Sequence, residues 1–168
     1  MSYDLKKFEK AARRGPRQLI ADDSADEDAF HLRPRVKLIG NMHGNEPVGR
    51  ELLIHFAKYL LKMAEEGNAR ALRILRKTRL FIVPTMNPDG FKRGKEGECS
   101  GGSYAAGRFN EGRKDLNRDF PDFEDWKILN QNPNHDIYKG RQKETQLLMN
   151  WILNGNFLLS ANFHGKPL

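Results

Sequence analysis

The sequence holds a single cysteine, Cys99, in 168 residues, so no disulfide can close within the chain and cysteine usage carries no compartment signal. Cys99 sits in a Gly/Ser-rich stretch without a histidine beside it and reads as a bystander. Long apolar runs are absent too. The N-terminal segment, residues 1–35, opens with Lys6, Lys7, Lys10, Arg13 and Arg14 and continues into the acidic stretch Asp22 to Asp28, which is the pattern of neither a signal peptide nor a membrane span. The net charge of +7 is scattered over the chain, with no basic run interleaved with stacking aromatics, and this excludes a nucleic-acid-binding reading. A solvated basic surface, or attraction for acidic partners, is what such a distribution implies.

What is present suits one globular domain. The length fits a single core, and 38% hydrophobic residues with ten Phe and two Trp are enough to build one. Val36 to Ile39 reads as a buried strand. Pro47 begins a helix running to about Met63, with Val48, Leu52, Phe56, Tyr59, Leu60 and Met63 as the face that packs on a sheet and His55 as a partly buried packing residue. Gly67 and Asn68 end that helix, a short basic helix covers Ala69 to Lys77, and Arg79 to Pro84 is a second strand. Thr85 to Gln142 is rich in Gly, Asn, Asp, Pro and Arg and reads as a long functional loop system, with Trp126, Ile128 and Leu129 as its apolar anchors. Glu144 to Leu153 is helical, with Leu147, Leu148, Trp151 and Ile152 facing the core and Gly155 as its stop. Phe157 to Phe163 closes the pattern as a buried strand. The fold class is therefore α/β, a mixed β-sheet with helices on its faces.

Chemistry gathers where these strands end. Gly40-Asn41-Met42-His43-Gly44-Asn45-Glu46-Pro47 is a strand-to-helix turn, and His43 and Glu46, three residues apart on it, can chelate one divalent ion with little chain entropy left to lose. His164 stands at the carboxyl end of the last strand. In open α/β sheets, sites form outside those ends, so His43, Glu46 and His164 can meet. Two His and one Glu leave one coordination position open, the ligand set of a catalytic zinc. His31 and His135 lie in polar stretches without such placement.

A second group is Arg108, Asn117 and Arg118, within Gly107-Arg108-Phe109-Asn110 and Asp115-Leu116-Asn117-Arg118-Asp119. Guanidinium forks bind carboxylates bidentately. The alternative is that Arg118 pairs with Asp115 or Asp119 and Arg108 is merely solvated.

Asn41-Met42-His43-Gly44-Asn45-Glu46, Met86-Asn87-Pro88-Asp89-Gly90, Gly107-Arg108-x-Asn110, Asp115-Leu116-Asn117-Arg118, Glu144-Thr145 before Trp151, and Leu159 to Gly165 resemble, in order, the zinc metallocarboxypeptidases, specifically the regulatory subfamily of carboxypeptidases D, E, M and N. The resemblance implies one Zn2+ held by His43, Glu46 and His164. It implies that Asn117 and Arg118 hold the terminal carboxylate of a peptide or protein substrate, and that Arg108 polarises the scissile carbonyl and stabilises the oxyanion. It further implies a secretory or extracellular setting and a preference for C-terminal Lys or Arg. In the family an Asn usually stands where this chain has Asp119, and a second glycine where it has Lys166. The family's general-base glutamate, a substrate-capping tyrosine and most of the specificity pocket come after the point matching Leu168. Residues 36–168 are thus expected to be a partial, catalytically incomplete metallocarboxypeptidase domain. Two other functions fit parts of the pattern: a non-catalytic module binding zinc or peptide C-termini, and a deacylase resembling aspartoacylases, which share His-Gly-Asn-Glu and Asp-Leu-Asn-Arg. The Asn-Pro-Asp-Gly, Trp151 and Ser-Ala-Asn-x-His features favour the carboxypeptidases.

Overall fold

The structure is a computed structural model that describes residues 33–95 and 106–165. His31, Cys99, Lys166 and the N-terminal segment as far as residue 32 lie outside the described residues.

Strand β1 (Arg35–Gly40) leads through helices α1 (Pro47–Glu65) and α2 (Ala69–Lys77) to strand β2 (Arg79–Val83), a βαβ unit whose strands pair in parallel. Asn68 starts α2 by accepting the backbone N–H groups of Arg70 and Ala71, two donors a helix start otherwise leaves unsatisfied. Helix α3 (Pro88–Arg93), a 3₁₀ turn (Leu116–Arg118), helix α4 (Phe123–Gln131) and helix α5 (Lys143–Gly155) follow, and strand β3 (Phe157–Phe163) returns to pair with the other side of β1. The sheet order is β2-β1-β3, and all described pairings are parallel. Three carboxyl ends therefore meet at one edge, the arrangement the sequence requires for His43, Glu46 and His164.

Helices cover both faces, as an α/β fold demands. On one face Leu60, Ala64 and Ala71 pack with Phe56, Met63 and Leu80 between α1, α2 and β2. On the other, Ile39, Met42, Met86, Leu116 and Leu148 form a buried cluster joined by Trp151 and Ile152 of α5. The Trp151 ring packs edge-on against Phe157 and Phe81, which locks α5 to the two outer strands.

Several packing expectations are corrected. Helix α1 buries the line Gly49, Leu53, Leu60 and Ala64, one residue round from the expected stripe, and Val48, Leu52 and Tyr59 are exposed. Gly49 explains the choice: a Cβ there would lie 2.7 Å from Phe163, so the small residue lets helix and strand approach closely. His55 is exposed rather than partly buried. On α5, Leu147 is exposed, while Thr145 and Met149 join Leu148 in the interior. The helix stops through Asn156, which takes the left-handed conformation at φ 46°, and not through Gly155. Gly155 is needed for another reason, since a Cβ there would overlap the Phe157 ring.

The stretch from Thr85 to Gln142 contains two helices that its composition concealed. Asn87 accepts Gly90 N–H to cap α3, and Asp122 and Asp125 form a reciprocal capping box on α4. Trp126 and Ile128 are not anchors: α4 lies on the surface with both exposed. Strand β3 is likewise no buried strand. It is an outer strand with Leu158 and Leu159 exposed, because among the described residues nothing covers its far side.

Candidate metal centre

The turn after β1 is built around Asn41, which is fully buried at φ 57° and donates from its side-chain amide to the carbonyls of His43, Gly44 and Glu46 at 2.9, 3.0 and 3.3 Å. A single side chain thus shapes the loop that carries two of the three candidate ligands. Gly44 is packed so closely against the α3 backbone that a Cβ would lie 2.1 Å from the Gly90 carbonyl carbon. Asn87 completes the frame, donating to the carbonyls of Met42 and Arg108 at 3.2 and 3.3 Å.

Glu46 occupies the N-cap position of α1 yet caps nothing, because its carboxylate turns toward the histidines. Its Oε1 lies 2.9 Å from His43 Nδ1, its Oε2 lies 2.9 Å from His164 Nδ1, and Gly165 N–H donates to Oε2 at 3.1 Å. The ligand atoms of His43, Glu46 and His164 all lie within 4.8 Å of one another. His43 and Glu46 are buried, and His164 faces solvent, which leaves an access side. Burial by itself would raise the Glu46 pKa, but the Gly165 N–H, the charge of His43 and hydrogen bonds from His164 and His43 together hold it below the usual carboxylate range.

The protonation pattern tests whether a cation fits. Asp115 Oδ1 faces His43 Nε2 at 2.9 Å and also accepts Asn117 N–H, so the imidazole proton belongs on Nε2. His43 Nδ1 and Glu46 Oε1 face each other in a buried site, so positive charge must lie between them, a proton or a metal ion. A divalent ion held by two imidazole nitrogens and a carboxylate resolves this, and that donor mixture suits zinc. Asp115, a carboxylate behind His43, stands where metal sites carry the outer support that fixes the orientation of a histidine ring. Burial raises its pKa, while hydrogen bonds from His43 and Arg108 outweigh this and lower it.

Arg108 is brought to this centre. Its Nε and NH2 donate to Asp115 Oδ2 at 3.1 and 2.8 Å, and its NH1 lies 3.3 Å from His43 Nδ1 and 3.5 Å from Glu46 Oε1. The guanidinium therefore has a carboxylate partner in Asp115. Solvated it is not. Asn117 and Arg118 lie on the 3₁₀ turn that Asp115 caps, both exposed, and Arg118 NH1 donates to the carbonyl of Asn117 at 3.2 Å. Arg118 pairs with neither Asp115 nor Asp119. The Asp119 carboxylate turns instead to Gln142 N–H, 2.8 Å away at the start of α5, so its charge serves the helix N-terminus. Glu144 is held by Asn110, whose amide nitrogen lies 3.1 and 3.2 Å from its two carboxylate oxygens.

Sequence reasoning passed over three supporting residues: Asn41, Asn87 and Asp115. Asn87 carried a signal, an Asn before Pro88 at a helix start. Asn41 and Asp115 carried none that spacing could reveal, since both act through contacts made by the folded turn.

Residues 16–167 match the model of a family described as zinc carboxypeptidase. The chain is 46% identical over 135 residues to carboxypeptidase D of Drosophila melanogaster, covering 80% of this chain and 9% of that protein. It is 37% identical over 160 residues to the carboxypeptidase N catalytic chain of Homo sapiens, covering 89% of this chain and 35% of that protein. To carboxypeptidase E of Caenorhabditis elegans it is 43% identical over 163 residues, 91% of this chain and 34% of that protein. The chain thus spans about a third or less of the length of these relatives. With a family match over nearly its whole length and a His, Glu, His cluster at the carboxyl ends of its strands, the chain belongs to the zinc carboxypeptidase family.

Proposed function

We propose that this chain carries the metal-holding and carboxylate-recognising groups of a metallocarboxypeptidase that releases C-terminal residues from peptides or proteins, with residues 36–168 acting as part of one catalytic domain. The observation that supports this best is the pairing of two features. Both histidine Nδ1 atoms lie 2.9 Å from the Glu46 carboxylate, and Arg118, whose guanidinium has no carboxylate partner among the described residues, stands three residues from the aspartate that faces His43.

In this reading His43, Glu46 and His164 hold one zinc ion. Bound zinc supplies Lewis acidity and a water whose pKa is lowered toward neutrality. Asp115 keeps the His43 proton on Nε2 and so keeps Nδ1 free to ligate. Arg108, anchored through Nε and NH2 on Asp115, is left with NH1 directed toward the ligand cluster, where it can donate to a carbonyl oxygen and to the oxyanion it becomes. Asn117 and Arg118 take the free carboxylate of the substrate, the amide and the fork supplying complementary donors. A secretory or extracellular setting and a preference for C-terminal Lys or Arg, both implied by the resemblance, belong to the same proposal. Among the described residues no helix is long and apolar enough to cross a membrane.

The test is Arg118→Ala in the zinc-loaded chain, titrated with matched peptides ending in a free carboxylate or an amide, and in Arg or Leu. The variant should bind the free-acid peptides at least about tenfold more weakly, since a hydrogen bond to a charged group contributes roughly 1.5–3 kcal/mol. The amides should bind as they do to the parent. Equal losses for acid and amide would place carboxylate recognition elsewhere.

A further inference from the structure

The turn that carries Asn117 and Arg118 is held at both ends, and only one end belongs to the metal centre. On the near side Asp115, which faces His43, accepts Asn117 N–H at 2.9 Å through its side chain and Arg118 N–H at 2.9 Å through its carbonyl. On the far side Arg141 NH1 donates to the carbonyl of Asp119 at 2.7 Å, and Asp119 Oδ2 accepts Gln142 N–H at 2.8 Å. Leu116, at the start of the turn, is fully buried in the core.

Arg141 engages all three of its guanidinium nitrogens. Nε donates to the Ile137 carbonyl at 2.6 Å, NH2 to Asp125 Oδ2 at 2.7 Å and NH1 to Asp119, with 14% of the side chain exposed. The guanidinium is planar and its donors form a rigid fork, so these three acceptors are held in a set relation to one another. Its own carbonyl accepts from Gln146 Nε2 of α5 at 2.8 Å. Arg141 therefore ties the end of the 3₁₀ turn to α4 and α5 at once. Arg118 has no comparable support at its own side chain: it is exposed, and among the described residues its guanidinium bonds to the carbonyl of Asn117 alone. Its place is set by the backbone on either side, and one of those sides is Asp119.

We propose that Arg141 is a positioning residue for carboxylate recognition: by holding the Asp119 carbonyl it sets where the Arg118 fork stands relative to His43, Glu46 and His164. This rests on the reading that Arg118 takes the terminal carboxylate of the substrate. A fork that meets both oxygens of a carboxylate needs direction as well as charge, so a turn released at its far end loses the acid more than the rest of the peptide. A misplacement of about 1 Å, introduced away from the bound group, is enough to spoil such an alignment. Asp125 supplies the charge opposite Arg141, and an asparagine in its place would still offer NH2 an oxygen.

The test uses the zinc-loaded whole chain and the peptide acetyl-Ala-Ala-Arg as free acid and as amide, with dissociation constants read by calorimetric titration. In the parent the acid should bind more tightly than the amide, and Arg118→Ala should abolish that preference. Arg141→Ala should shrink the preference by at least about fivefold, the scale of one lost hydrogen bond, while amide binding and zinc affinity stay within about twofold of the parent. Asp125→Asn should lower the melting temperature yet keep the preference, which separates positioning from loss of stability. Arg141→Lys, with one nitrogen in place of three, should fall between the parent and the alanine variant, and it decides the matter if the alanine variant does not fold. A parental preference in Arg141→Ala, or in Arg141→Lys where alanine is not tolerated, overturns the proposal, and it leaves the Arg118 reading intact if Arg118→Ala has lost the preference. Equal losses of acid and amide binding, or zinc lost in step with the preference, overturn it too, because Arg141 would then hold the fold and not the fork. A preference that survives Arg118→Ala, or its absence from the parent, overturns both readings.

Discussion

His43 and Asp115 lie 72 positions apart in the chain, yet Nε2 of one is 2.9 Å from Oδ1 of the other, and this contact decides which imidazole nitrogen faces Glu46 and His164. Asp115 accepts Asn117 N–H as well, so a single carboxylate links the metal cluster to the turn that carries Asn117 and Arg118.

Asp115→Asn should separate these two roles. Asparagine still caps the 3₁₀ turn but lacks the charge that steadies the His43 proton on Nε2. Zinc affinity should fall 10- to 100-fold, the range for losing an outer support of a ligand histidine, while the far-UV spectrum stays unchanged. Competition against a chromophoric chelator measures it, and parental affinity in the variant would remove Asp115 from the centre.

His43→Ala and His164→Ala should both abolish stoichiometric zinc, because two protein ligands hold the ion too weakly. They should differ in stability without metal. His164 is 36% exposed at its side chain, so its loss should be mild, whereas losing His43 leaves the Glu46 and Asp115 carboxylates facing a buried void. Metal analysis and apo-protein melting curves together check this; full zinc content in either variant would refute the ligand assignment.

Asp125 should contribute to acid sensitivity. Its carboxyl is held below the usual value of 3.8, first by the Asp122 N–H of the capping box, against some burial, and then by Arg141, whose NH2 is 2.7 Å away. A depressed carboxyl pKa stabilises the folded chain above the unfolded-state value and loses that contribution as pH falls through the folded value. Asp125→Asn should therefore lower the melting temperature at pH 7, and the gap to the parent should close as pH falls through the depressed folded value. A gap that persists into acid would show that charge is not the cause.

Two glycines should respond differently to alanine. At Gly44 the new Cβ would collide with the α3 backbone at 2.1 Å, and Gly44→Ala should lose both zinc binding and cooperative melting. Gly67 ends α1 at φ 79° with open space around it, so Gly67→Ala should cost only about 1–2 kcal/mol for its left-handed conformation and leave zinc binding intact. Urea titration of each variant distinguishes them.

Much of this architecture was legible before folding. Apolar spacing, Pro47, Gly67 and Asn68 act over a few residues, and they delimited α1, α2 and the strands to within a residue or two. Three parallel strands oblige their carboxyl ends to share an edge, so the meeting of His43, Glu46 and His164 followed from local signals and one rule of topology. The short helices α3 and α4 were missed because their caps, Asn87 and Asp122, stand in stretches whose polar composition reads equally as loop.

The tertiary structure alone decided the rest. Helix α1 has two adjacent apolar lines, and only the close approach of Gly49 to Phe163 selects which one is buried. Arg108 could pair with several carboxylates in its neighbourhood, and the fold gives it Asp115 while turning Asp119 to the start of α5. The sequence by itself determined the elements and their order, because propensity, capping and periodicity are local energies. Which charges meet across 72 residues is set by the packing of those elements, which no local spacing contains.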